Sequence, residues 1–241
     1  MFNFFLDYSM SKQELIIHKK GVFGKTIFKV TNKHNITYIV KASNRSLMHE
    51  LKIYQLMEKL LISHFFAQIY NCEKKGNKYI CFSEYIEDSL HTFYKKIKKS
   101  DRKIFWKNLF KQLIYVVSIL EKNHIQHNDF HLGNLRIHGC DANNFQIKII
   151  DLETMADYKN KKVPKELINA TKKEKIRMGW DKKFHVGSDL NQILGQIIDE
   201  YSRDLPKSIV NKFKPLIISD KNKEFPFAVI KNNKMEAQKL L

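Results

Sequence analysis

The segment His127-Asn128-Asp129-Phe130-His131-Leu132-Gly133-Asn134 puts two imidazoles, one carboxylate and two amides into eight residues. An apolar run, Ile147-Lys148-Ile149-Ile150, follows and ends on Asp151. A carboxylate and an amide five apart, then a carboxylate closing an apolar strand, form a set that nucleotide phosphoryl transfer requires. Asp129 would orient an attacking hydroxyl and take its proton. The Asn134 amide oxygen and Asp151 would hold Mg²⁺ on the phosphates. Little covalent work then remains, so positioning and charge neutralisation carry the rate. A second reading uses His127, Asp129 and His131 as ligands of a hydrolytic metal. It leaves Asn134 and Asp151 without a task.

Two further residues stand out by their positions. Tyr38-Ile39-Val40-Lys41 is a short β-like run that ends on a lysine. Glu50 lies three after Leu47 and four before Tyr54, on the apolar face of an expected helix. A carboxylate on that face needs a partner, because an unpaired buried charge is costly.

In this order and at these spacings the motifs resemble the protein-kinase-like superfamily, over roughly residues 14–201. The resemblance implies an α+β, bilobal fold in one domain spanning 1–241. Its N-lobe (about 1–84) would be a five-stranded antiparallel sheet with one main helix. A hinge (about 85–88) and a mostly helical, shortened C-lobe (about 89–241) would follow. It also implies ATP and Mg²⁺ as cofactors. Asp129 takes the catalytic-loop position, and Asn134 and Asp151 the metal-binding positions. Lys41 would hold the α- and β-phosphates, with Glu50 as its ion-pair partner. Gly21-x-x-Gly24 matches the second half of the glycine-rich loop. Glu84, Tyr85 and Ile86 would lie beside the adenine, with Ser83 setting the pocket's depth. Asp189 would brace the catalytic loop, and His127 would be a buried structural residue.

The departures are as informative. Asn128 replaces the arginine that reads a phosphorylated activation loop, which implies that no such switch operates. Leu152 and Glu153 replace the Phe and Gly of D-F-G, and a carboxylate beside the metal site calls for an explanation. No A-P-E follows. His131 is similar to the residue in haspin-like, viral and lipopolysaccharide-core kinases. The acceptor implied is a protein Ser/Thr hydroxyl. The alternatives are a sugar or lipopolysaccharide-core kinase with an anionic glycolipid acceptor, and a binding-only pseudokinase.

The elements that must position these residues follow from periodicity and turn chemistry. Strands are expected over 14–20, 26–31, 36–41, 68–73 and 78–84, with turns at Gly21–Gly24 and Lys75-Gly76-Asn77. One helix is expected over 44–61, with Leu47, Leu51, Tyr54, Met57 and Leu61 on its apolar face. Helices over 89–98 and 100–122 come next, the longer one capped by Ser100-Asp101 and carrying Phe105, Leu109, Leu113, Val116 and Leu120 inward. A loop at 124–134, a hairpin at 135–138 and 146–150, an irregular lysine-rich stretch at 151–186 and a helix at 188–201 complete the reading.

Composition bounds the rest. With 241 residues, 43% of them apolar, the chain can bury a sizeable core. No apolar run is long enough to span a bilayer, and the N-terminus lacks the basic start of a secretory signal, so a cytoplasmic location is expected. Cys72, Cys81 and Cys140 form no CxxC and read as reduced thiols. The net charge of +18 favours anionic partners, nucleic acid among them, but no nucleic-acid motif accompanies it.

Overall fold

The computed structural model describes residues 10–17, 25–180, 182–220, 225–230 and 235–240, with the backbone alone for 10–17 and Glu166. The Gly21–Gly24 turn lies outside the described residues. The architecture is mixed α+β with antiparallel sheets. The strand-rich part is one five-stranded sheet in the order β1-β2-β3-β5-β4, with every neighbouring pair antiparallel. Its strands are β1 (Met10–Ile17), β2 (Thr26–Asn32), β3 (Thr37–Ser43), β4 (Ile69–Lys75) and β5 (Lys78–Glu84). Period-two alternation divides the two faces of the sheet. On one, Val30, Tyr38 and Phe82 are buried against Phe28, Val40 and Ile80. On the other, Ile27, Ile39 and Lys41 line a cleft.

The β4–β5 turn explains a departure from the expected thiol chemistry. Gly76 supplies the positive φ (59°) of a two-residue turn and fixes the register at Lys75 opposite Lys78. Cys72 then stands opposite Cys81, with Cα atoms 4.1 Å apart, and the two sulfurs are bonded. The expectation of reduced thiols is corrected at these two positions; Cys140 is an exposed free thiol.

The first helix, α1 (Met48–Lys59), starts four residues later than expected and ends earlier. The Ser43 and Ser46 hydroxyls accept from the Arg45 and Met48 amides, which favours turns over a helical start. Leu61 adopts a left-handed φ of 59° and is 82% exposed, so it leaves the apolar face it was expected to join. Glu50, Ile53, Tyr54 and Met57 form the buried stripe.

The rest is mainly helical. Strand β6 (Asp88–Ser89) leads into α2 (Leu90–Lys96), whose N-cap Ser89 accepts from the Thr92 amide at 3.1 Å. Helix α3 (Arg102–Lys122) buries all five residues expected to face inward, together with Trp106, Phe110 and Val117. A short turn, Lys99–Asp101, precedes it, and Asp101 makes no side-chain cap. Strands β7 (Ile125–Gln126), β8 (Leu135–Gly139) and β9 (Phe145–Ile149) surround the 127–134 loop; β8 and β9 form the expected hairpin.

The 151–186 stretch is more ordered than its composition suggests. It holds β10 (Ala156–Asp157), paired with β7, and helices α4 (Lys165–Asn169) and α5 (Lys172–Met178). A capping box between Thr171 and Glu174 starts α5. Helix α6 (Ser188–Tyr201) has the expected bounds, and α7 (Lys207–Phe213) follows it. One large apolar cluster joins α1, β4, β5, α2, α3, β7, β8, β9 and α6. No helix of the described residues is long and apolar enough to cross a membrane.

Candidate active site

Lys41 reaches into the cleft from β3, and its Nζ lies 2.7 Å from Glu50 Oε2 on α1. The partner that Glu50's buried position demanded is therefore present. The same ammonium lies 3.0 Å from Asp151 Oδ1 at the end of β9. Burial alone would lower the Lys41 pKa, but the Asp151 and Glu50 charges outweigh it and raise it. Asp151 balances the same forces in reverse: burial pushes its carboxyl up, and the Lys41 and Lys25 ammonium groups hold it far below the usual range. Asp151 also has a φ of 62°, a conformation uncommon outside glycine that its ion pairs help to hold.

Asp129 and Asn134 are joined through the loop itself. Asn134 Nδ2 donates to the Asp129 carbonyl at 2.9 Å, which fixes the amide's orientation and leaves Oδ1 as the atom for a ligand. The Asn134 carbonyl accepts from the Ile150 amide at 3.0 Å, tying the loop to the residue before Asp151. Burial raises the pKa of the Asp129 carboxyl, opposed by His131, whose Nε2 lies 3.8 Å away. His127 is fully buried, its Nε2 is 3.2 Å from the Ile150 carbonyl, and burial lowers its pKa to about 4. It is thus a structural imidazole, which leaves the three-ligand metal reading without one of its members.

The loop is held from below by α6. Asp189 accepts from the His127 and Asn128 amides at 2.6 and 3.1 Å. Gln192 and Gln196 accept from the Phe130 and Leu132 amides at 2.7 and 3.0 Å. These three residues lie at i, i+3 and i+7 on one helix face. Sequence reasoning found Asp189 and missed the two glutamines, although their spacing was the available signal.

Asn128 forms a second brace. It has a left-handed φ of 67°, and its amide nitrogen donates to the Gln126 and Thr154 carbonyls at 3.1 and 2.8 Å. Its amide oxygen accepts from the Tyr158 hydroxyl at 3.0 Å, and its carbonyl accepts from Trp180 Nε1, also at 3.0 Å. A single short side chain thus links the 127–134 loop to the segment that follows Asp151.

The cleft has a volume of about 590 Å³. Ser83, Glu84, Tyr85 and Ile86 line it, as do Lys41, Glu50, Asn134 and Asp151. The Glu84 side chain is engaged elsewhere, with its Oε2 accepting from the Gln68 amide and pairing with Lys148 at 3.1 Å. Any role of Glu84 in binding falls to its backbone. Gly21 and Gly24 lie outside the described residues. The oxygens of Asp151 and Asn134 form a hard donor set that suits Mg²⁺.

Lys25, absent from the expected site, and Glu153, expected beside it, meet next to Asp151. Lys25 Nζ lies 2.9 Å from Asp151 Oδ1 and 2.7 Å from Glu153 Oε2. Glu50, Asp151 and Glu153 bring three carboxylate oxygens within 4.8 Å of one another, and the two lysines sit among them. Burial, and then the charge of Asp151, raises the Glu153 pKa to about 8, with Lys25 opposing. No family model matches the chain, and neither does any curated protein.

Proposed function

We propose that this chain is a bilobal, protein-kinase-like phosphotransferase that moves the γ-phosphoryl group of ATP to a hydroxyl acceptor, with protein Ser/Thr as the first acceptor class. The supporting observation is the meeting of Lys41, Glu50 and Asp151 in one cleft with Asn134, which is bonded to the Asp129 backbone. In this reading β1–β5 and α1 form the N-lobe, the helical remainder forms the C-lobe, and adenine lies against Ser83, Tyr85 and Ile86. Glu50 holds Lys41 against the α- and β-phosphates. Asp151 and Asn134 would hold Mg²⁺, which supplies charge neutralisation on the phosphates when bound. Asp129 orients the acceptor hydroxyl and takes its proton as the oxygen–phosphorus bond forms and ADP leaves.

A second acceptor class has its own support. Lys159, Lys161, Lys162, Lys172 and Lys173 are all exposed on the segment after the metal-binding position, which suits an anionic glycolipid. The test is incubation with γ-labelled ATP and Mg²⁺, with casein-like proteins in one arm and lipopolysaccharide core in the other. Label on Ser/Thr is expected. Label on the glycan alone would transfer the activity to the second class. Nucleotide binding without transfer to either would make the chain a binding-only pseudokinase.

A further inference from the structure

Lys25 and Glu153 form a second lysine–glutamate pair beside Lys41 and Glu50, and the two lysines share one oxygen. Both ammonium groups approach Asp151 Oδ1, Lys25 at 2.9 Å and Lys41 at 3.0 Å, and Lys25 also reaches Oδ2 at 3.2 Å. The five side chains run in sequence, Glu50, Lys41, Asp151, Lys25, Glu153, carboxyl and ammonium groups alternating and each within 3.0 Å of the next. Lys25 directly precedes β2, in which Ile27 lines the cleft and is the register partner of Lys41. The two lysines therefore approach from the start of β2 and from β3, and they meet at Asp151.

A lysine this deeply placed needs a reason to stay. Its side chain is only 11% exposed, although a long ammonium stem just before a strand would readily reach water. Glu153 holds it there at 2.7 Å. Glu153 does for Lys25 what Glu50 does for Lys41, and this accounts for a carboxylate where the kinase resemblance places a glycine.

The arrangement also has a charge consequence. A divalent cation held at Asp151 would compete with the ammonium groups that now neutralise that carboxylate. Lys25 would then keep Glu153 on one side and have room for a new anion on the other. In the phosphotransferase reading that anion would be the phosphate chain.

We propose that Lys25 is a second phosphate-binding lysine, tethered by Glu153, which contacts the β- and γ-phosphates of a bound nucleoside triphosphate alongside Lys41. This rests on the phosphotransferase reading above and extends it. The site would hold the polyphosphate with two fixed ammonium groups. Selectivity for tri- and diphosphates over monophosphates is the expected consequence.

The experiment compares ATP, ADP and AMP binding by calorimetry, with and without Mg²⁺, for the parent, Lys25→Met and the double variant Lys25→Met/Glu153→Gln. The double variant removes both charges and so leaves no buried carboxylate unpaired, which protects the fold. AMP binding reports an intact adenine site in each protein. ATP and ADP affinity should fall about ten- to hundredfold, the effect of one charge-assisted contact, while AMP affinity stays within about twofold. Glu153→Gln alone should give a smaller loss of the same kind. If both Lys25 variants bind ATP as the parent does, with AMP binding intact, Lys25 is a structural ion pair and the proposal is overturned. A parent that binds none of the three nucleotides overturns the phosphotransferase reading itself, and this proposal with it. A parent that binds and transfers, beside unaffected variants, removes the Lys25 role alone.

Discussion

Asp129 receives two hydrogen bonds at its carbonyl, from the His131 amide at 3.1 Å and from Asn134 Nδ2 at 2.9 Å, so its backbone is fixed while its carboxylate remains available. Burial raises its pKa, which makes it a better proton acceptor than an exposed carboxylate. Asp129→Asn should keep ATP binding and lose roughly 10²–10⁴-fold in transfer, the usual worth of a positioned base. Transfer at the parental rate would remove Asp129 from that role. The 2.7 Å Lys41–Glu50 contact predicts strong non-additivity in a double-mutant cycle of Lys41→Met and Glu50→Gln, read as kcat/KM. Additive losses would mean that the pair does not act together. The kinase resemblance implied that pair, and Glu50's place in a helical apolar period supported it. The Lys25–Asp151 contact spans 126 positions, and a lysine before a strand reads locally as solvated, so no local pattern could announce it. His127 gives a pH prediction. Its pKa of about 4, against 6.5 when exposed, means that the unfolded chain takes up a proton between those values and the folded chain does not. Stability from this residue is present above pH 6.5 and is lost as pH falls towards 4. In urea unfolding at pH 7 and pH 4.5, the parent should lose roughly 2 kcal/mol more than His127→Gln. Equal losses would place the imidazole in contact with water.

At the scale of elements, α6 does two jobs with one helical period. Leu190, Ile193, Leu194, Ile197 and Ile198 bury its apolar residues, and Asp189, Gln192 and Gln196 hold the amides of the 127–134 loop. The apolar residues were visible as hydrophobic periodicity. The polar stripe was visible only in part, because a glutamine in a helix ordinarily reads as solvated. Helix α1 shows the opposite case. Its core was legible, but its ends were decided by serine–backbone bonds and by the left-handed Leu61, which periodicity does not record. The Asn128 brace belongs to this scale as well. It joins the loop to Thr154, Tyr158 and Trp180 with neutral hydrogen bonds, so the segment after Asp151 is held without a phosphate. A phosphate-driven switch needs a cation cluster to receive the charge, and here the central position is an amide. If the proposed phosphotransferase reading holds, the protein should therefore be active as made. Phosphatase treatment should leave its rate unchanged, whereas Asn128→Ala should lower kcat. A treated sample that falls silent and recovers on self-phosphorylation would overturn this view.

For the whole molecule, the +18 charge is distributed unevenly with respect to depth. The cations beside Asp151, Lys25 and Lys41, are buried and paired with Asp151, Glu50 and Glu153. Those of the 159–173 segment are exposed at Lys159, Lys161, Lys162, Lys172 and Lys173. Salt distinguishes the two sets. The Debye length falls from about 10 Å at 0.1 M to about 3 Å at 1 M, which suppresses attraction between exposed charges while buried pairs are screened much less. If the exposed lysines meet an anionic acceptor, the KM for that acceptor should rise with salt more steeply than the KM for ATP. Replacing Lys159, Lys161 and Lys162 together by Gln should reproduce the high-salt acceptor KM at low salt and leave ATP binding unchanged. An acceptor KM that is flat in salt, or a triple variant that behaves as the parent does, would assign these lysines to solvation of the surface alone.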